Sequence, residues 1–274
     1  MMPSLLSAVK RHPIITFFVL TYALAWGFVP FGSFGAFAPL VAVLIVIPIS
    51  QGLSGLKELG LRMIRWRVGW IWWALAIGLP LAVHLLTVGL NIGLGAPAPS
   101  LSQFSPLSGL IVVFAVRLID PLDGPMGEEP GWRGFALPRL QAERSPLLAS
   151  LILAVLVTLW HLPLWVLPQF GASPNLILGD ILGTVGVTLW YTWLFIHTGG
   201  SVLMTIVAHA TEGTIQTEAF WSAGAAAARM SLLYGVVWLA VGIGLVVLDR
   251  QMWRGPAPAL ARVQPAYGGE SRVL

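Results

Sequence analysis

The chain contains no cysteine. That excludes disulfides, thiolate metal ligands and cysteine nucleophiles. Charge is almost as scarce: 9% of the 274 residues are Asp, Glu, Lys or Arg, against roughly 25% in an ordinary soluble domain. Fifteen basic and eleven acidic side chains cannot cover the surface of a water-soluble protein of this length. A soluble enzyme, a coiled coil and a disordered chain are therefore excluded. There is no HExxH pair for a zinc site of that type and no glycine-rich phosphate loop. The apolar runs are continuous rather than alternating, which excludes a membrane β-barrel.

What is present is 57% hydrophobic residues, with 30 glycines and 20 prolines. Both of these are commoner in transmembrane helices than in soluble ones. A helical span needs about 20 mostly apolar residues. Such stretches lie near 13–31, 34–50, 68–94, 107–142 (long and broken), 147–168, 176–196, 201–220 and 229–249. The expected fold is all-α, a polytopic bundle of about eight spans. It forms a single integral membrane domain over 1–250, with a disordered cytoplasmic tail over 251–274. Ala23-Leu24-Ala25 has the form of a signal-peptide cleavage site. The apolar run continues beyond it through Phe31, so an uncleaved first span is expected. Residues 57–67 read as a basic interfacial segment, with Trp66, Trp70, Trp72 and Trp73 as an aromatic belt.

Of the 15 Lys and Arg, 12 fall between spans or beside them. Their alternation predicts both termini in the cytoplasm, in a plasma (inner) membrane. The positive net charge marks these loops, and no nucleic-acid partner is expected. The exceptions are Arg117, Arg133 and Arg229. Two of them fall in residues 117–133, with Asp120, Asp123, Glu128 and Glu129, among Pro121, Pro125 and Pro130. Ionisable groups inside spans are costly and mark function by default. A broken helix survives at membrane depth only when it is buried in protein or lines a wet cavity, so this segment should line a cavity.

Depth supports that expectation. Glu128 lies before, and His161 after, the turn at Gln141–Pro146, at distances that carry both roughly 20–27 Å into the bilayer at 1.5 Å per residue. His209 follows the Thr198-Gly199-Gly200 turn and reaches roughly 15 Å. Glu129 and Arg133 are four apart, share one helical face and can pair. Glu128 is turned about 100° away and is left as a general base. A kink should follow His161, because Pro163 comes next but one. His84 is read as structural, His197 and His12 as lying beside span ends, and Asp180 and Glu218 as cavity-lining or capping residues. Gly52-Leu53-Ser54-Gly55 has the form of a rhomboid serine motif but lies beside a basic run, and is read as a turn.

Glu128-Glu129-Pro130-Gly131-Trp132-Arg133 resembles the EExxxR motif of the CAAX-protease and bacteriocin-processing (CPBP, or Abi) family of intramembrane proteases. His161, with Val157 at the aromatic position, resembles the second motif, FxxxH. His209 resembles the final motif, HxxxN, with Gly213 in place of the Asn. The resemblance covers roughly residues 107–215. It implies an eight-span helical fold and peptide hydrolysis inside the membrane. Glu128 would be the base, His161 would orient the water, His209 would stabilise the oxyanion, and Glu129 and Arg133 would hold the helix. It also admits a zinc ion on Glu128, His161 and His209, or a glutamate mechanism without metal. Loss of one oxyanion donor costs on the order of 100- to 1000-fold in rate; Glu212 or Thr214 stand close in sequence to compensate. The partners implied are the bilayer and a peptide or protein substrate, prenylated or a precursor of a secreted peptide. The competing expectation is a non-enzymatic immunity or scaffold protein on the same fold, which Gly213 favours. A small-solute transporter would carry an inverted repeat, and no second broken segment matches the first.

Overall fold

The computed structural model describes residues 5–100, 107–167, 174–218 and 225–255. These residues form helices and turns, with no strand among them. Helices α1 (Leu5–Arg11), α2 (Pro13–Trp26), α3 (Ala38–Met63) and α4 (Trp70–Gly93) come first. The broken segment follows as α5 (Leu107–Ile119), α6 (Gly124–Gly131), a π-helical turn over Trp132–Ala136 and α7 (Leu137–Glu143). Then come α8 (Pro146–Trp160), α9 (Leu162–Val166), α10 (Pro174–His197), α11 (Val202–Glu218), α12 (Ala225–Leu248) and α13 (Arg250–Arg254).

Among the described residues, five segments are long and apolar enough to cross a membrane: Pro13–Phe31, Ala38–Met63, Trp70–Gly93, Pro174–His197 and Ala226–Leu248. Pro146–Trp160 and Val202–Ile215 are shorter apolar helices. With the broken segment, each of the eight expected stretches contains a helix among its described residues. The boundaries differ in two places. The second stretch runs on to Met63 through a kink at Gly52, where φ is 70°. The kink divides α3 into two helices, so the basic residues 57–63 lie on a stretch set apart from the apolar one before it, and Ser54 sits in the first turn of that second helix rather than in a loop. At the other end, residues 250–254 are helical and Trp253 is buried, its indole donating to the Leu245 carbonyl at 3.0 Å. The expected tail begins later than 251; its residues 256–274 lie outside the described residues.

The apolar core has two halves. The first joins α2, α3, the π-helical turn and α8 through Phe17, Val46, Trp132, Phe135, Leu153 and Trp160. The second joins α4, α10, α11 and α12 through Val83, Trp190, Leu194, Met204, Val207 and Trp238. The helices of the second half approach through glycine. A side chain at Gly186 would land on the backbone of Trp238, and one at Gly179 on the backbone of Ser231. Without a hydrophobic drive between helices in lipid, such close backbone packing is what holds spans together. The loop after α3 meets the turn between α10 and α11: the Arg65 guanidinium donates to the Gly199 carbonyl at 2.8 Å, and the Ser201 hydroxyl to the Arg65 carbonyl at 2.7 Å. Of the three arginines within spans, Arg229 donates to Asn91 Oδ1 at 2.7 Å. The other two belong to the region of the cavity.

Candidate active site between the two halves

The break before α6 has a local cause. Pro121 and Pro125 lack the N–H a continuous helix needs, and Asp123 restarts the helix by accepting from the Gly124 amide at 2.8 Å. Pro130 and Pro138 flank the π-helical turn, whose wider bonding also frees a carbonyl: Arg139 donates to Phe135 O at 2.9 Å. The motif glycines let this segment lie against α3. A Cβ at Gly131 would stand 2.5 Å from Pro39, and one at Gly134 2.5 Å from Leu59.

Glu129 and Arg133 pair at 3.0 Å and are almost wholly buried, as their spacing predicts. The same Glu129 oxygen faces His209 Nδ1 at 3.0 Å, across 80 positions of sequence. Glu128 points elsewhere: its Oε2 accepts from the Trp132 indole at 3.1 Å. Trp132 stands edge-on to Trp160, with centroids 5.5 Å apart, and Trp160 directly precedes His161. One aromatic contact thus sets the depth of Glu128 against that of His161; such pairs contribute about 0.5–1.5 kcal/mol beyond area burial. His161 closes α8, with its Nδ1 3.0 Å from the Val157 carbonyl, and α9 starts anew at Leu162. This is the kink expected before Pro163.

Glu128, Glu129, Arg133, His161 and His209 line one cavity of about 190 Å³. Five residues from four separate helical stretches are therefore brought together. The closest view of the reactive groups comes from Gly124. A point one bond off its Cα is 3.0 Å from Glu128 Oε1 and 3.3 Å from His209 Nε2, so base and imidazole face the same small space. Both histidines have Nδ1 engaged, which leaves Nε2 for chemistry. Among the described residues, no three His, Asp or Glu side chains converge closely enough to hold a metal ion.

The opposite wall holds residues that sequence reasoning missed. Tyr191 donates to Glu212 Oε2 at 2.7 Å and Tyr234 to Oε1 at 3.2 Å. The Tyr191 ring lies 5.7 Å from the His209 ring and under the Arg133 guanidinium at 4.8 Å. A signal existed: the chain has only four tyrosines, and a buried phenol needs a hydrogen-bond partner. Asp180 lines the cavity and accepts from the Trp165 indole at 2.9 Å. The Glu218 side chain lies outside the described residues. His84 is buried in α4, and His197 pairs with Asp249 at 3.0 Å near the ends of α10 and α12.

Of the two residues that stand close to Gly213 in sequence, Glu212 lines the cavity and Thr214 does not. Glu212 is an acceptor for two phenols. Thr214 donates to the Ala210 carbonyl at 2.7 Å and lines a separate apolar cleft between α4, α5 and α11. Gly213 itself faces Arg117 rather than the cavity.

Residues 106–215 match the family described as Rce1-like, type II CAAX prenyl endopeptidase. The CAAX prenyl protease 2 of Methanococcus maripaludis is 30% identical over 136 residues, covering 47% of this chain and 49% of the relative. The chain thus spans about half the length of the curated relative it matches. The matched segment begins at α5 and ends in α11 just past His209, and so contains Glu128, Glu129, Arg133, His161 and His209. Its apolar helices make the chain an integral membrane protein, and its matched segment is similar to the CAAX protease family.

Proposed function

We propose that the protein is an intramembrane endopeptidase that uses Glu128 as general base. The carrying observation is the shared space between Glu128 Oε1 and His209 Nε2 beside Gly124, in a cavity that His161 also lines. A water molecule there gives a proton to Glu128, while His161 Nε2 accepts its second hydrogen and orients it. The hydroxide attacks the carbonyl carbon of the scissile bond. The Glu129 carboxylate holds the His209 ring by Nδ1, so that Nε2 faces the tetrahedral oxyanion. Glu128 returns its proton to the leaving nitrogen as the C–N bond breaks, giving a carboxylic acid and an amine.

The relative's name supports a prenylated CAAX-type protein as substrate; a secreted-peptide precursor is the other class a membrane cavity of this kind admits. The 12 basic residues beside the spans support both termini on the cytoplasmic side. A zinc ion on Glu128, His161 and His209 would require these groups to move closer together.

The test is cleavage of a farnesylated CAAX peptide by the full chain in nanodiscs, alongside a comparison of membrane-proteome termini from cells carrying wild type or Glu128→Gln, each with and without chelator. Cleavage that depends on Glu128 and survives chelation is the expected result. Equal cleavage by both forms would overturn the assignment. A non-enzymatic scaffold is the second reading, favoured by the absence of any side chain at Gly213; it predicts that Glu128→Ala keeps the cellular phenotype.

A further inference from the structure

Arg117 is the third arginine within a span, and it does not line the cavity. Its place is defined from two sides. Nη1 lies 3.3 Å from Asp123 Oδ1 and 3.2 Å from Oδ2, and Asp123 is the residue that caps α6. On the other side the guanidinium rests on the bare Cα of Gly213 in α11: a Cβ there would be 2.7 Å from Nη1 and 3.2 Å from Cζ. The side chain is only 20% exposed, and its Nε is buried without a hydrogen-bond partner. A charged group is therefore wedged between the start of α6 and the side of α11. Asp123 precedes Glu128 by five residues, and Gly213 follows His209 by four, so each contact lies little more than one helical turn from a reacting group. An Asp–Arg pair alone would only cap a helix. Contact with α11 adds something else, because it ties the helix carrying Glu128 to the helix carrying His209.

We infer that Arg117, seated on Gly213, is a positioning residue that acts through Asp123 and α6 to fix the gap between Glu128 and His209. Gly213 is the seat, since any side chain there displaces the guanidinium. The inference rests on the endopeptidase assignment for its kinetic consequence, but not for its geometry.

Two measurements test it on the full chain in nanodiscs. The first is kcat and KM on the farnesylated CAAX peptide. Arg117→Gln should lower kcat by about 10- to 100-fold, the scale of a small misplacement of reacting groups, with KM little changed. Arg117→Lys should recover part of the loss, because the charge remains while the planar fork does not. Gly213→Ala should lower kcat alone and add nothing in the Arg117→Gln background, since both act on one contact. Losses that multiply in the double variant, or single variants that turn over like wild type, overturn the inference. The second measurement needs no substrate. Glu128→Gln should shift the 15N signals of the His209 imidazole in the wild-type background and shift them less in Arg117→Gln; an equal shift in both also overturns it. Cleavage that ignores Glu128→Gln would instead sink the endopeptidase assignment and leave the imidazole measurement to decide the role of Arg117.

Discussion

The two halves of the bundle meet at the cavity but are built differently. The half that carries Glu128, Glu129, Arg133 and His161 is held by interlocked rings, Phe17 against Trp132 at 5.6 Å and Trp132 against Trp160 at 5.5 Å, around a buried ion pair. The half that carries His209, Tyr191 and Tyr234 is held by glycine contacts between α10 and α12, and beside His209 it carries two phenols that share the Glu212 carboxylate. The first half puts charge where chemistry is proposed. The second supplies a close-packed wall against which His209 is oriented. Positioned charge and rigid packing are thus contributed by different helices, and they should fail in different ways when altered.

The largest difference is expected at Glu128. Glu128→Gln should reduce cleavage by on the order of 100- to 10,000-fold, the range for a lost general base, with little change in thermal unfolding, because the amide can still accept from Trp132. Next comes the ion pair. Glu129→Gln takes the carboxylate from the buried Arg133 guanidinium and should destabilise the protein by about 3–5 kcal/mol, read by denaturant unfolding in detergent; Arg133→Gln should cost less, because Glu129 keeps His209 as a partner. Changing both to neutral residues should restore most of that stability but not cleavage. Across the cavity, Gly186→Val forces α10 and α12 apart and should cost about 1–3 kcal/mol, with activity falling only as far as the folded fraction does. Tyr191→Phe should have the smallest effect, about 1 kcal/mol for one hydrogen bond to Glu212, seen as a modest fall in kcat. Tyr234→Phe, whose bond is longer at 3.2 Å, should fall below it. A Tyr191→Phe loss as large as that of Glu128→Gln would mean that the second wall takes part in the chemistry, and the division between the halves would not hold.

Much of the first half was legible because its determinants are local. Glu129 and Arg133 are one helical turn apart, so their pairing follows from spacing. Pro121 and Pro125 announce a break, and Pro163 announces a kink after His161. Even the common depth of Glu128 and His161 follows from counting residues on either side of one turn. The second half was not legible in that way. Tyr191 and Glu212 are 21 positions apart and sit on different helices, and no periodicity marks them as partners. Gly213 was read by the side chain it lacks; its role as the floor beneath Arg117 depends on how α5 and α11 lie against each other.

The sequence by itself determined the class of the protein, since 9% charge cannot cover a soluble surface. It also determined the eight helical stretches and the acidic motif with its own arginine, because helix formation and i,i+4 pairing act over one turn. Only the tertiary structure decided that one Glu129 oxygen serves both Arg133 and His209, that two phenols fix Glu212, and that Arg117 bridges α6 to α11. The physical reason is that these contacts depend on the relative rotation and separation of packed helices. That rotation is set by rings in one half and bare glycines in the other, and no single helix carries it in its own sequence.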